Sequence, residues 1–220
     1  MTERTDEPGG EVAADETERF WEGHYQARDR VWSGRANPAL VDVAGALPPG
    51  TALDIGCGEG GDGVWLAGRG WRVTAVDVSG TALGRASASA AGAGVAARID
   101  FQRHDLARTF PDGVFDLVSA HYLHAPIEFP RERILRAAAS AVAPGGLLLI
   151  VDHAGPPPWA RDPHPHAVFP GPEEVLAGLA LSPAEWRTER LGSAERPATG
   201  PDGEPGTLTD SVIAVRRGTR

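Results

Sequence analysis

A glycine-rich segment that follows a short apolar run is the part of the chain best suited to bind a ligand. Residues 52–55 are predicted to form a buried strand, and glycines follow it at the alternate positions 56, 58 and 60. Glycine accepts positive φ angles and lets a ligand approach the backbone without meeting a Cβ atom. A helix-forming segment, residues 62–69, comes next, so backbone N–H groups would face the ligand. This order predicts a nucleotide-type binding loop.

Two aspartates indicate which nucleotide. The glycines at 56, 58 and 61, with Asp77 about twenty residues later, also match the dinucleotide fingerprint. Asp54 stands just before the first glycine, where its carboxylate would repel a pyrophosphate and attract a cationic amino-acid group. The segment therefore favours a nucleoside ligand with a cationic end over a dinucleotide.

The stretch Asp54-Ile-Gly-Cys-Gly-Glu-Gly60 resembles motif I of the class I S-adenosylmethionine (SAM) methyltransferases. The resemblance implies S-adenosyl-L-methionine as the cofactor. It also implies that the cofactor lies against Asp54, Gly56, Cys57, Gly58 and Gly60.

The same resemblance assigns the residues that follow the next two strands. Asp77, with Val78 beside it, corresponds to the acidic residue that accepts hydrogen bonds from both ribose hydroxyls. A carboxylate has two oxygens to offer a cis-diol, but NAD-binding proteins use the same device, so Asp77 indicates only a ribose. Asp105 corresponds to the residue that meets the adenine amino group, and the Leu106 N–H would reach the ring.

Three aromatic residues before the sheet, Trp21, Tyr25 and Trp32, lie in an otherwise polar segment. Aromatic faces attract a cation such as a sulfonium. Together with Arg35-x-Asn37-Pro38, their spacing resembles the N-terminal cover of the thiopurine and tellurite-resistance type methyltransferases, which act on small molecules. The resemblance implies that Tyr25 and Trp32 cover the cofactor. The alternative is that these rings only pack a helix on the sheet.

His121 follows the predicted fourth strand, at the sheet edge where open α/β folds bind ligands. In the methyltransferase family that the chain resembles, this position holds the catalytic motif, which is Asn-Pro-Pro-Tyr in enzymes that methylate amino groups of DNA and protein. Here the motif is Ala-His121-Tyr-Leu-His124, which argues against such an enzyme. His121 and His153, at the end of the fifth strand, are the candidates for a catalytic base, because histidine titrates near neutrality. His121 is also a candidate to line the cofactor pocket.

A metal site is not predicted. Cys57 is the only cysteine, so neither a disulfide nor a thiolate zinc site is expected. His121-x-x-His124 has no matching carboxylate or cysteine motif, and His164 and His166 fall in a proline-rich loop.

Apolar runs that alternate with helices predict an α/β fold with a parallel sheet and helices on both faces. The order of these elements resembles the Rossmann-like, seven-stranded sheet of the methyltransferases, which implies a mostly parallel sheet with one antiparallel strand. We expect residues 1–17 to be a disordered acidic tail and residues 18–217 to form one methyltransferase domain. Within it, residues 18–47 form a helical cover and residues 152–171 a substrate loop rich in proline and histidine. The predicted strands are residues 52–55, 71–78, 99–102, 115–120, 147–151, 185–191 and 208–215. The predicted helices are residues 18–25, 37–47, 62–69, 80–91, a segment opened by Pro130 with Ile134, Leu135, Ala138 and Val142 on one face, and residues 173–181.

Composition limits the partners. A net charge of −9 disfavours nucleic acid, whose phosphates require a basic surface. The longest apolar run, residues 147–151, is far shorter than a membrane span, and the polar N-terminus resembles no secretory or transit signal, so we expect a cytoplasmic protein. The sequence carries no indication of the oligomeric state.

The sequence therefore predicts a SAM-dependent methyltransferase with a small-molecule acceptor. One alternative is an NAD(P)-dependent oxidoreductase, although the chain has no lysine for a Tyr–Lys pair. Another is a SAM-binding protein without turnover. The chain lacks both Gly-x-Ser-x-Gly and a P-loop motif, which argues against a serine hydrolase or a P-loop enzyme.

Overall fold

The computed structural model of the chain describes residues 9–160, 169–200 and 202–219, with side chains from residue 16 onward. The helices are α1 (Gly9–Gln26), α2 (Pro38–Ala44), α3 (Gly61–Gly68), α4 (Gly80–Gly92), α5 (Arg131–Ser140) and α6 (Pro172–Gly178). The strands are β1 (Thr51–Ile55), β2 (Arg72–Asp77), β3 (Ile99–Arg103), β4 (Phe115–His121), β5 (Val142–His153), β6 (Trp186–Thr199) and β7 (Pro205–Arg217).

The strands form one seven-stranded sheet in the order β3-β2-β1-β4-β5-β7-β6. Every neighbouring pair from β3 to β5 is parallel, whereas β7 is antiparallel to both β5 and β6. Strand order reverses between β1 and β4, so the carboxyl ends of these two strands flank the crevice in which open α/β sheets bind ligands. The predicted sheet with one antiparallel strand is confirmed.

Helices cover both faces of this sheet, as predicted. On one face, Ile134 and Leu135 of α5 and Val175 of α6 pack on Val118 and Ile150. The opposite face carries the second apolar cluster, which includes Leu40 of α2, Leu66 of α3, Trp71, Leu117 and Leu149. The central strands are apolar on both sides because both sides are covered.

Local signals place the helix starts. Asn37 caps α2, since its side-chain oxygen accepts the Ala39 N–H at 2.9 Å, and Pro38 is the first helical residue. Ser79 caps α4 by accepting the Ala82 N–H at 3.1 Å. Both helices therefore begin within a residue of the predicted positions.

The start of α1 and the junction of α5 with β5 differ from the predicted boundaries. Helix α1 begins at Gly9, so part of the segment expected to be disordered is helical; residues 11–17 contain alanine and glutamate, which are good helix formers. Helix α5 ends at Ser140, and Val142 opens β5 opposite Phe115 instead of continuing the helix. An apolar residue at position 142 fits both the apolar face of the helix and the start of a buried strand, so the sequence pattern does not distinguish helix from strand there.

The hairpin of β6 and β7 is confirmed, but its strands pair over a longer range than predicted, up to Thr199 opposite Pro205. Of the predicted substrate loop, residues 161–168 lie outside the described residues, and so do His164 and His166. Within the described part of the chain, no helix has the length and apolar character needed to cross a bilayer.

We predict that Leu149→Ala lowers the free energy of unfolding by about 2–5 kcal/mol, because Leu149 is fully buried in a central strand. Urea denaturation followed by circular dichroism measures the change. Val114→Ala is the control, because Val114 is 61% exposed and should change stability by less than about 0.5 kcal/mol. Equal effects of the two substitutions would contradict this assignment of the core.

Candidate active site

The predicted glycine loop connects β1 to α3 and has the expected backbone conformation. Gly56, Gly58 and Gly60 have φ angles of 69°, 53° and 82°, which is the left-handed region that favours glycine. A Cβ atom on Gly60 would lie 2.8 Å from the Cβ of Ala86 in α4, so this loop also lets the helices pack closely. The positive φ angles and this contact explain why these positions are glycine.

Asp77 joins the loop to the neighbouring strand β2. One carboxylate oxygen accepts the Gly58 N–H at 2.9 Å, and the other accepts the Ser79 N–H at 2.9 Å. Burial raises the pKa of Asp77, although these backbone hydrogen bonds act in the opposite direction. Asp77 thus contacts the loop and fixes its shape, and Val78 follows it at the end of β2.

Asp54, in β1 below the loop, is almost fully buried. Its Oδ1 accepts the Ser119 hydroxyl at 3.3 Å, whereas Oδ2 is buried with no hydrogen-bond partner among the described residues. Burial, reinforced by the nearby Asp62 charge, raises the pKa of Asp54 to about 7. A buried carboxylate oxygen without a partner is costly, so this position is prepared for a hydrogen-bond donor or a cation.

His121, the last residue of β4, lies beside Asp54 and Asp62. Its Nδ1 is 2.6 Å from Asp62 Oδ2, and Asp62 Oδ1 accepts the Asn37 N–H at 2.6 Å. Burial opposes charging of the ring, but the Asp62 charge and hydrogen bond raise the pKa of His121 above its ordinary value. A ring that holds its proton is better suited to donate a hydrogen bond from the buried Nε2 than to act as a base.

Tyr25 and Trp32 cover the loop directly. The Tyr25 hydroxyl and the Trp32 ring lie 3.0 and 3.2 Å from the point where a Cβ on Gly58 would be. The Trp32 indole N–H donates to the Tyr25 hydroxyl at 3.0 Å, and Trp21 lies behind, with its ring centroid 6.1 Å from that of Tyr25. The aromatic segment therefore contacts the glycine loop and does more than pack a helix on the sheet.

Glu59 and Arg85 hold this aromatic cover (residues 21–32) on the loop. Glu59 accepts the backbone N–H groups of Val31 and Trp32 and is 2.9 Å from Arg85. Arg85 also donates to the carbonyl oxygens of Tyr25 and Arg28 at 3.0 and 2.7 Å. Burial favours the neutral acid, but these donors lower the pKa of Glu59, which keeps it charged.

Glu22 attaches α1 to the start of α4. It accepts the hydroxyls of Ser79 and Thr81 at 2.7 and 2.5 Å, and these bonds lower its pKa to about 2. The sequence analysis missed Glu22, Glu59 and Arg85. The available signals were a glutamate inside the glycine motif and a single arginine in an alanine-rich helix.

Asp105 and Leu106 follow β3 at the same edge of the sheet. Asp105 Oδ1 accepts the Ala107 N–H at 2.9 Å within a turn, and the His104 N–H bonds to the carbonyl of Asp77 at 3.0 Å. Leu106 packs against the core. His104, the residue before Asp105, thus lies against the end of β2, and the adenine contact of Asp105 and Leu106 stays a prediction.

A second polar cluster, formed by Tyr122, His124, His153, Arg196 and Asp210, lies at the ends of β4 and β5. Asp210 is buried and accepts the Tyr122 hydroxyl at 2.9 Å, and it is 3.2 Å from His153 Nδ1 and 2.5 Å from Arg196 Nε. The rings of Tyr122 and His153 stack at 4.2 Å. The sequence pointed to His153 but gave no signal for Asp210 or Arg196, which the hairpin brings from far along the chain.

Cys57 and the histidines do not assemble a metal centre in the part of the chain that the structure describes, where no group of three potential ligands occurs. Cys57 is buried, and burial raises the pKa of its thiol well above the ordinary value. Its place in the loop is therefore that of a small apolar residue and not of a reactive thiolate.

Several known proteins with similar sequences are methyltransferases. The family model described as "Methyltransferase domain" matches residues 52–146. The chain is 32% identical to thiocyanate methyltransferase 1 of Arabidopsis thaliana, over 64% of this chain and 66% of that protein. It is 34% identical to 2-heptyl-1-hydroxyquinolin-4(1H)-one methyltransferase of Mycobacteroides abscessus, over 61% of each. The match to ribosomal RNA small subunit methyltransferase C of Chromohalobacter salexigens is 33% identical and covers 56% of this chain and 37% of that protein.

The chain thus spans just under two thirds, or less, of the length of these curated relatives. Among solved structures, one described as "Conversion of a Disulfide Bond into a Thioacetal Group during Echinomycin Biosynthesis" superposes with a TM-score of 0.70, at 24% identity over 92% of this chain and 93% of that one. TehB from Haemophilus influenzae superposes with a TM-score of 0.65, at 18% identity over 83% and 62%. At these identities the likeness concerns the fold. The family model over residues 52–146 and the curated relatives support a class I SAM-dependent methyltransferase.

Proposed function

We propose that this protein transfers a methyl group from S-adenosyl-L-methionine to a small molecule. The observation that carries this proposal is the buried Asp54 Oδ2, which has no described partner and lies beneath a glycine loop of bare backbone. The cofactor has a cationic ammonium group at its amino-acid end, which would supply the missing partner. The residues present therefore fit this cofactor.

The other predicted contacts are consistent with one bound nucleoside. Each Asp77 oxygen accepts one backbone N–H and retains a lone pair for a ribose hydroxyl. Asp105 and the Leu106 N–H are proposed to meet the adenine, and His121 to donate its Nε2 hydrogen toward the amino-acid end. A pyrophosphate in the same place would face the carboxylates of Asp54 and Asp62, so nothing in the site favours NAD(P).

The cofactor would supply a methyl group on a sulfonium, and the leaving thioether is neutral. The chain therefore needs no acid for the leaving group, and its main task is to hold two reactants close and aligned. Tyr25 and Trp32 lie over Gly58, where they would shield the reacting atoms from water and present aromatic faces to the sulfonium. Glu59 and Arg85 would keep this aromatic cover in place.

A small-molecule acceptor is supported by two curated relatives, whose names give thiocyanate and a hydroxyquinolone as acceptors. Another relative is a ribosomal RNA methyltransferase. The net charge of −9 disfavours RNA for this chain, because phosphate contacts require basic side chains.

We predict that Asp77→Ala weakens SAM binding roughly 10- to 100-fold, about the value of one hydrogen bond to a charged group. Isothermal titration calorimetry measures the affinity, with circular dichroism to confirm folding. Asp42→Asn is the control, since Asp42 lies exposed in α2. Unchanged affinity in Asp77→Ala, or no SAM binding by the wild type, would contradict the proposed function.

We predict that SAM affinity rises with pH up to about 7 and then levels off. Asp54 must be ionised to pair with the ammonium group, and its pKa is raised to about 7. Calorimetry below pH 7 in two buffers of different ionisation enthalpy should show proton release on binding. Asp54→Asn should lose both this proton release and most of the affinity.

The raised pKa of Asp54 also predicts that the free protein becomes less stable as pH rises. A carboxyl whose pKa is higher in the folded than in the unfolded protein destabilises the fold as pH rises from the unfolded toward the folded pKa. Asp54→Asn should therefore raise the free energy of unfolding of the free protein at pH 8. A loss of stability at pH 8 would contradict the raised pKa.

We predict that Arg85→Gln loosens the aromatic cover, because Arg85 holds both Glu59 and the carbonyls of residues 25 and 28. Hydrogen exchange of residues 25–32 should accelerate by at least roughly tenfold, which corresponds to about 1.4 kcal/mol. Arg187→Gln, on the exposed edge strand β6, should leave this segment unchanged. Equal exchange in both variants would show that Arg85 does not hold the cover.

A further inference from the structure

We infer that the methyl acceptor is a neutral compound with a weakly acidic O–H or N–H group, and that His153, oriented by Asp210, removes its proton. This inference rests on the proposed function, and it specifies the acceptor class and the base. It is drawn from the second polar cluster, which the glycine loop and its cover do not use.

Asp210 determines which nitrogen of His153 carries hydrogen. Its Oδ2 accepts hydrogen bonds from Tyr122 and Arg196. Burial raises the pKa of Asp210, but these hydrogen bonds help to lower it below the ordinary value, so Asp210 stays charged. Its Oδ1 is 3.2 Å from His153 Nδ1, so Nδ1 carries the hydrogen and donates it. The lone pair of the neutral ring is then on Nε2, which has no described hydrogen-bond partner, as a general base requires.

Tyr122 holds the plane of the His153 ring. The two rings stack at 4.2 Å with an angle of 25° between their planes. The backbone of Tyr122 has a φ of 51°, rare for a residue with a side chain, and its N–H bonds to the Val151 carbonyl at 2.7 Å. The ring is therefore fixed from one face by Tyr122 and from Nδ1 by Asp210.

The cluster adjoins the cofactor loop. His121 pairs with Val151 in the sheet, and His153 is two residues further, ~7 Å along the strand. Leu123, the residue after Tyr122, lies against the loop, where its Cδ1 is 2.9 Å from the point at which a Cβ on Gly56 would be. A base at His153 would therefore face an acceptor placed beside the loop.

The charges around His153 favour a neutral acceptor. Arg196 is paired with Asp210, and Arg131 is paired with Asp152, the residue before His153. Tyr122 is uncharged, since burial, with the Asp210 charge, raises its pKa to about 12. Burial and the nearby His153 lower the pKa of His124, which keeps that ring neutral too. The described residues of this cluster therefore offer no excess positive charge to a permanent anion.

His153 Nε2 takes the proton from the acceptor O–H or N–H, and the freed lone pair of that oxygen or nitrogen forms the bond to the methyl carbon. The carbon–sulfur bond breaks, and its electron pair stays on the sulfur as a neutral thioether. The proton then passes from the His153 ring to solvent, because the side chain is 31% exposed.

Binding of two probe compounds tests the acceptor class. Nuclear magnetic resonance of the protein saturated with S-adenosylhomocysteine should show His153 and Tyr122 shifts with 1-hydroxyquinolin-4-one and none with thiocyanate at equal concentration. The long-range nitrogen–proton spectrum of His153 should show the Nδ1–H tautomer, which Asp210→Asn should lose. Shifts with thiocyanate alone, shifts with neither probe, or the Nε2–H tautomer in the wild type would each overturn the inference.

Kinetics test the base. At saturating SAM, His153→Gln should lower kcat for the hydroxyquinolone by at least roughly 100-fold with little change in KM, because the amide side chain cannot take the acceptor proton. SAM affinity should stay at the wild-type value in His153→Gln and Asp210→Asn, and Asp42→Asn should behave as wild type throughout.

Wild-type kcat in His153→Gln, or no turnover of the hydroxyquinolone by the wild type, would overturn this inference. If SAM binding were normal in that case, the proposed cofactor would still stand. Loss of SAM binding in the wild type would instead contradict the proposed function itself.

Discussion

The hydrogen bond between the Gly58 N–H and the Asp77 carboxylate is the interaction on which the rest of the site depends. It joins the loop after β1 to the end of β2 and holds the backbone in a left-handed bend. The bend leaves Asp54 buried below it, where one carboxylate oxygen has no hydrogen-bond partner in the part of the chain that the structure describes. The loop is thus built at the expense of stability, as binding sites often are, because a buried carboxylate is costly until a cation joins it.

Charge is distributed unequally across the crevice. Below the loop, Asp54, Asp62 and His121 form a buried group with more carboxylates than cations. At the neighbouring strand ends each carboxylate has an arginine, as in the pairs Asp210–Arg196 and Asp152–Arg131. A cationic ligand is therefore favoured at the loop and a neutral one beside it, which is the order required for methyl transfer from a sulfonium to a protic acceptor.

Sequence patterns predicted the elements that carry strong local signals. The glycine loop, the Asn37 cap and the alternation of apolar strands with helices all appear in the structure near the predicted positions. The errors occurred where one pattern fits two structures. Val142 continues the apolar face of α5 yet belongs to β5, and α1 extends into a polar segment whose composition alone indicated disorder.

The sequence by itself determined the fold class and the residues next to the glycine loop, because both follow from short-range spacing and from backbone conformations that only glycine readily adopts. Only the tertiary structure decided which distant side chains meet. Strand β7 brings Asp210 to His153, and α4 brings Arg85 to Glu59 and to the backbone of residues 25–32. Such contacts depend on sheet order and register, which no local pattern encodes, so the sequence identified His153 without the carboxylate that orients it.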